Sequence, residues 1–133
     1  MDKTVATIEL LLHTLLIDRD VHEESKKVFD SICQICGINV EIPSSKDKLH
    51  SIDDLVKTLA TKEDKMNILD LLFRLVIADG IFKEEERSFL KEVYTKLGLP
   101  ESLFNEFVSA VEKTAEGQKI WLNFRKKIEE SLS

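Results

Sequence analysis

Two nine-residue stretches, LLLHTLLID at 10–18 and LLFRLVIAD at 71–79, align without a gap when the sequence is shifted by 61 positions. The match continues downstream, where apolar residues coincide with apolar residues through a further helix. Each copy has the pattern of an apolar helix, a short acidic turn and an amphipathic helix. The sequence therefore predicts two copies of one helix-turn-helix unit, repeat one at 4–38 and repeat two at 65–99.

The second helix of each unit is predicted to end at a glycine. In repeat two, apolar residues recur at spacings of one, three and four and form one stripe along this helix: Phe89, Leu90, Val93, Tyr94 and Leu97. Gly98 follows and supplies the left-handed conformation that commonly closes a helix, and Pro100 suits the first turn of the next one. Gly37 occupies the equivalent place in repeat one.

The first helix of each unit is apolar on nearly every face, so neither helix tolerates a wide contact with water. The most economical arrangement packs the two against each other at the centre, with the other helices around them. We therefore predict an all-α fold in which two pseudo-symmetric helix-turn-helix repeats pack around two central apolar helices. The whole chain, 1–133, is expected to form a single domain.

The segments outside the repeats predict further helices. Residues 38–48 lack a helical period and contain a Pro-Ser-Ser sequence, so we expect a linker there. A hydroxyl residue three positions before an Asp favours a helix start, and this pattern occurs at 51–54 and at 61–64. A short helix and a break should lie between the two starts.

The C-terminal part is expected to contain two more helices. One runs from Pro100 to about Thr114, and Gly117 interrupts the pattern. A last helix is predicted from its apolar residues Ile120, Trp121, Phe124, Ile128 and Leu132. The expected total is about seven helices.

Composition and charge narrow the class of partner. Hydrophobic residues make up 43% and charged residues 33% of the chain, with only 4 Gly and 2 Pro, which is the balance of a helical globular domain. The net charge of -6 argues against nucleic acid, because a duplex-binding surface needs several Lys or Arg on one face. We interpret the basic cluster at 125–127 as a solvated helix face.

The N-terminus lacks the residue order of a signal peptide. The most apolar runs are 10–17 and 68–78, and polar residues interrupt both, His13 in the first and Asp70 in the second. Runs of this length are typical of buried helices and not of membrane spans. We expect a cytoplasmic protein with no membrane span.

The cysteines and histidines do not form a recognisable site. Cys33 and Cys36 have the CxxC spacing, but they lie at the C-terminal end of a helix, where the helix field opposes a thiolate. We interpret both as core residues. His13, His22 and His50 share no spacing that would build a metal site, and we interpret His13 as a buried histidine whose hydrogen bonds are satisfied.

Residues 77–86 read IADGIFKEEE. This segment resembles the signature of the TerB-like family of tellurite-resistance proteins, in which an Ala-Asp-Gly triplet ends a helix, an apolar residue follows, and a Glu lies in the next helix's first turn. Asp79, Gly80, Phe82 and Glu86 occupy those places by residue type. The resemblance covers most of the chain and implies an all-helical fold, shared with the N-terminal region of a membrane-anchored DnaJ-type co-chaperone. It also implies an association with stress responses, a metal-binding role proposed for acidic residues, and no catalytic activity.

The two copies of the turn depart from this pattern to different degrees. Lys83 stands where the family usually has a small polar residue, and its side chain cannot accept a hydrogen bond as an N-cap. In the first copy, Arg19 stands at the glycine position and Ser25 at the glutamate position. We therefore expect the second turn to be the more family-like of the two.

Carboxylates of the two turns are the candidate metal ligands, namely Asp18, Asp79 and Glu86, because oxygen ligands suit a divalent cation such as calcium or magnesium. An EF-hand is excluded, since its twelfth position would be Phe29 or Leu90. A cation would need carboxylates from both turns. A structural interpretation explains the same residues, because acidic residues in a helix's first turn stabilise its N-terminus.

Our first hypothesis is a non-enzymatic binding or adaptor domain of a stress response, which presents its acidic turns to a cation or its outer helices to a protein partner. The alternative is a helical domain that binds a small apolar or acidic compound between its central helices. A third hypothesis is a homodimer contact through Trp121 and Phe124. No glycine-rich phosphate loop is present, and no enzymatic activity is expected.

Overall fold

The computed structural model describes residues 1–17, 23–77, 83–112 and 130, and every regular element in that part of the chain is helical. Its six α-helices are α1 (Lys3–Leu15), α2 (Glu23–Cys36), α3 (Ile52–Thr58), α4 (Lys62–Ile77), α5 (Glu84–Lys96) and α6 (Glu101–Glu112), and a 3-10 helix spans Lys46–Lys48. The predicted all-α fold is confirmed. The last predicted helix, over 120–132, falls outside the described residues except for position 130.

Both helix starts predicted from Ser/Thr–Asp patterns are present. Ser51 Oγ accepts a hydrogen bond from the Asp54 backbone N–H at 3.3 Å, at the start of α3. At the start of α4, the Asp64 N–H donates to Thr61 Oγ1 at 3.1 Å, and the Thr61 N–H donates to Asp64 Oδ2 at 3.4 Å. Each pair satisfies backbone donors that the first turn of a helix leaves without a partner.

The second helix of each repeat ends with the same backbone motif. Gly37 and Gly98 have φ values of 72° and 82°, so the predicted left-handed glycines are confirmed. The residue after each glycine donates its N–H to the carbonyl oxygen five residues earlier, Ile38 to Cys33 and Leu99 to Tyr94, at 3.0 Å in both cases. This is the Schellman motif, and it satisfies carbonyls that a helix end leaves unpaired.

The first helices of the two repeats pack directly against each other, as predicted. α1 contacts α4, and it also contacts α2 and α3. Fully buried side chains of α1 and α4 are Leu10, Leu11, Ile68, Leu69 and Leu72. α6 packs on α4 and α5, and Phe107 meets Phe73 edge to face with ring centroids 5.7 Å apart. Burial of apolar area is the main term that stabilises such a core.

The segment between α2 and α3 packs against the core. Ile38, Val40, Ile42 and Leu49 are half-buried against it, and exposed and half-buried residues alternate from 37 to 42. This alternation is typical of extended backbone with one side facing apolar neighbours. The predicted linker therefore lacks an α-helix, as expected, but its first part, 38–42, packs against the domain.

No helix in the described part of the chain combines the length and the hydrophobicity needed to cross a membrane.

Candidate functional site

Of the three predicted metal ligands, only Glu86 lies among the described residues. Asp18 and Asp79 fall in the segments 18–22 and 78–82, which lie outside them. Within the described part, no group of three or more His, Cys, Asp or Glu side chains is arranged to hold a metal ion. The set Asp18, Asp79 and Glu86 therefore stays a prediction.

Glu86 has a structural role at the start of α5. Its side chain is only 7% exposed, and its Oε1 accepts a hydrogen bond from the Lys83 backbone N–H at 3.3 Å. This hydrogen bond agrees with the structural interpretation, in which an acidic residue in the first turn stabilises the N-terminus of the helix. The Lys83 ammonium only donates hydrogen bonds and cannot accept one from the Glu86 backbone N–H, so Glu86 provides the one side-chain hydrogen bond of a capping box that these two residues can form.

A groove lies between the end of α1 and the start of α5, with a volume of about 640 Å³, and we name it the first groove. Its apolar walls are Leu16, Ile17, Leu49, Ile52 and Phe89. Ile17 directly precedes Asp18 of the first turn, and Glu85, which also lines the groove, directly precedes Glu86 of the second. The flanks of both turns therefore meet at one groove.

Two histidines and a glutamate form a hydrogen-bond network beside this groove. His50 Nδ1 lies 3.0 Å and 2.8 Å from Oε1 and Oε2 of Glu9, and the His50 backbone N–H donates to Glu9 Oε1 at 2.7 Å. His13 Nε2 lies 2.9 Å from the His50 carbonyl oxygen. The His13 ring stacks on Phe89 with centroids 6.1 Å apart. These contacts attach the start of α3 to α1.

The prediction for His13, a buried histidine with satisfied hydrogen bonds, is confirmed only in part. His13 has the predicted hydrogen bond, but it is half-buried and lines the first groove. The pairing of Glu9 with His50 was missed, because these residues lie 41 positions apart and no local pattern links them. The local sequence marks His50 only as the residue before Ser51, the N-cap of α3.

The two cysteines have different environments. Cys33 is buried, and this burial, together with the nearby Asp30 and Cys36, raises the pKa of its thiol. Cys36 is exposed, so its prediction as a core residue is wrong. The last turn of α2 faces solvent on that side, as the 85% exposure of Ile35 also shows. A raised thiol pKa disfavours the thiolate that redox chemistry requires.

A second groove, of about 350 Å³, lies where the first half of α1 and one face of α4 meet the end of α2. Its apolar surface comes from Ile32, Ile35, Leu59 and Leu71. Two ion pairs line it: Lys3 Nζ lies 2.9 Å from Asp64 Oδ2, and Arg74 Nη2 lies 3.3 Å from Asp70 Oδ2. This groove is at the edge of the contact between the central helices, whose centre is filled by buried leucines.

Comparison with known proteins identifies one family. The family model described as tellurite resistance protein TerB matches residues 4–109. No curated protein and no solved structure matched the chain.

Proposed function

Since the chain belongs to the TerB family of tellurite resistance proteins, we propose that it is a non-enzymatic binding or adaptor domain of a stress response. In this proposal its two acidic turns together present carboxylates to a divalent cation. The ligand set is Asp18, Asp79 and Glu86. Protein partners would meet the outer helices next to the same end of the molecule.

The observation that supports this proposal is the meeting of the turn flanks at the first groove. Ile17 and Glu85 both line that groove, although they belong to different repeats. A site that gathers ligands from both turns requires this proximity, because neither turn has the ligand spacing of an EF-hand. Hard cations take oxygen ligands at about 2.3 to 2.6 Å, so the carboxylates of both turns must approach one point.

A calorimetric titration of the full chain with calcium, magnesium, manganese and zinc tests the proposal. We expect saturable binding of at least one of these ions. The double variant Asp18→Asn/Asp79→Asn should weaken it by about tenfold or more, which is the loss seen even for outer-sphere partners of a metal. Glu86→Gln keeps an acceptor for the Lys83 N–H while removing the charge, so it tests the third ligand without removing the cap.

Asp30→Asn is the matched control, because Asp30 is an exposed carboxylate on α2 that lies outside the first groove. Its variant should bind the ion like the natural chain. Absence of heat with all four ions, or equal losses in Asp30→Asn and the double variant, would contradict the cation proposal.

The alternative function is the binding of a small apolar or acidic compound between the central helices. Buried leucines fill the centre of that contact, so the second groove beside it is the place that suits such a compound. Its apolar surface suits an aliphatic chain, and an acidic headgroup would compete with the Asp64 and Asp70 carboxylates for Lys3 and Arg74. Decanoate is a suitable probe, with nuclear magnetic resonance shifts of the Thr7, Asn67 and Leu71 amides as the readout. The variant Arg74→Gln should weaken this binding, and shifts confined to other residues would argue against the alternative.

A further inference from the structure

The first groove is lined by two imidazoles, and their hydrogen bonds fix which nitrogen of each ring donates. The Glu9 carboxylate only accepts hydrogen bonds, so His50 Nδ1 carries a proton, and in the neutral form of the ring the lone pair is on Nε2. By the same reasoning, His13 Nε2 donates to the His50 carbonyl oxygen, and in the neutral form of that ring Nδ1 is an acceptor. Neither acceptor nitrogen has a hydrogen-bond partner in the described part of the chain. The groove therefore offers acceptors to a ligand that donates.

The charges around the groove favour a cation. Asp47 and Glu85 line it, and Glu9 lies directly behind His50 with its side chain only 12% exposed. Lys46 is the one lysine or arginine in the described lining. Among the described residues, neither Asp47 nor Glu85 forms an ion pair. Among the described residues of the groove, carboxylates therefore outnumber ammonium groups, which disfavours an anionic ligand.

The walls of the groove provide apolar contact. Leu49, Ile52 and Phe89 are half-buried, so each keeps some surface that a ligand can cover. One face of the Phe89 ring stacks on His13, and the ring contributes apolar surface to the groove. A volume of about 640 Å³ is within the range of small-molecule sites.

We propose that the first groove binds a small organic cation, an ammonium group attached to an apolar or aromatic body. The ammonium donates to His50 Nε2 and is attracted by Asp47 and Glu85, while the body contacts Ile52 and Phe89. An ammonium ion requires only acceptors and negative charge, whereas a metal ion requires a ligand set that the described residues do not assemble. This site goes beyond the proposed cation site at the acidic turns and does not depend on it.

The test uses the uniformly ¹⁵N-labelled full chain in the presence of EDTA, so that metal binding cannot contribute. Three probes of matched shape are titrated: 2-phenylethylamine, 2-phenylethanol and 3-phenylpropionate. We expect saturable amide shifts at 49–52 and Phe89 with the amine. Its affinity should exceed that of the alcohol by about tenfold, as charge-assisted hydrogen bonds are stronger than neutral ones.

Two variants of α5 test whether a carboxylate at the groove, and not one elsewhere on the same helix, strengthens amine binding. Glu85→Gln should weaken amine binding by about fivefold, which is the effect of one nearby charge in a solvated site. Glu92→Gln removes an exposed carboxylate of α5 outside the groove and should leave the affinity unchanged. His50→Ala should weaken binding further, and Glu85→Gln keeps the test valid if His50→Ala loses the fold.

The proposal is overturned if the amine gives no saturable shifts at these residues, or if the alcohol or the acid binds there as tightly as the amine. Equal affinities of the Glu85→Gln and Glu92→Gln variants would also overturn it. Failure of the metal titration leaves this prediction intact, because the two experiments use different ligands and different residues.

Discussion

Tyr94 places a hydroxyl inside the core between α5 and α6. The residue is 1% exposed, and its ring lies edge-on to Phe104 with centroids 5.5 Å apart. Its Oη has no hydrogen-bond partner within the part of the chain that the structure describes. Burial raises the pKa of this phenol well above its usual range. A buried polar group without a partner costs about 1 to 3 kcal/mol.

Replacing Tyr94 by Phe should therefore preserve or raise the free energy of unfolding, by up to about 1 kcal/mol, because the ring stays and the unpaired hydroxyl is removed. Urea denaturation followed by circular dichroism measures the change. Tyr94→Leu, which also removes the aromatic contacts, should destabilise the fold. A clear loss of stability in Tyr94→Phe would show that the hydroxyl has a partner.

Gly98 allows a test of backbone strain without steric interference. A Cβ added to Gly98 would meet no heavy atom within 4 Å, so an alanine is penalised only by its positive φ of 82°. Gly98→Ala should lower the free energy of unfolding by about 1 to 2 kcal/mol. Gly37→Ala should have a similar effect, since it closes α2 with the same motif. Thermal denaturation checks both, and a neutral result would contradict the role of the left-handed conformation.

Charged side chains connect the ends of several helices. Lys3 near the start of α1 pairs with Asp64 near the start of α4, and Lys65 Nζ donates to the Leu97 carbonyl oxygen at the end of α5, at 3.1 Å. Lys96 pairs with Asp53 at the start of α3. Cations near the C-terminal end of a helix interact favourably with its dipole, so the Lys65 ammonium also stabilises the end of α5 electrostatically.

The ion pair at the start of α4 makes stability depend on pH. Hydrogen bonding from Lys3, and further hydrogen bonds from Thr61, lower the pKa of Asp64. A carboxylate whose pKa is lower in the folded state than in the unfolded state stabilises the fold above about pH 4. This stabilisation is lost as the pH falls through the folded-state pKa. Asp64→Asn should therefore lower the melting temperature modestly at pH 7 and have little effect near pH 2. A pH-independent difference between the two proteins would contradict this assignment.

The helix boundaries near these ion pairs were predictable, but the ion pairs were not. The caps of α3 and α4 depend on residues three positions apart, so the sequence contains all the information needed to place them. Lys3 and Asp64 lie far apart along the chain, and only the packing of α1 against α4 brings them together. The same reason hides the contact between Glu9 and His50.

The whole domain is stabilised by the contact between its two most apolar helices. Leu72→Ala, a truncation at a fully buried position of α4, should lower the free energy of unfolding by about 2 to 5 kcal/mol because it leaves a cavity. Ile35→Ala is the control, since Ile35 is 85% exposed and its truncation should change stability by less than about 0.5 kcal/mol. Chemical denaturation measures both, and similar effects of the two variants would contradict the observed core.

The alignment of the two repeats predicted buried positions more reliably than exposed ones. Alignment of the copies placed Cys33 with Tyr94, and both are buried; it also placed Cys36 with Leu97, but Cys36 is exposed. The repeats have diverged where their neighbours differ, because α5 is covered by α6. Periodicity alone cannot show which face of a helix a later element covers.

The sequence by itself determined the helical class, the helix ends at Gly37 and Gly98, the caps of α3 and α4, and the contact of the two apolar helices. These features depend on the spacing of apolar residues and on groups a few positions apart. Only the tertiary structure decided the first groove, the histidine network and the exposure of Cys36. The groove and the network depend on how α1, α3 and α5 are positioned relative to one another, and the exposure of Cys36 depends on which face of α2 the other helices cover. The packing of the entire core sets both.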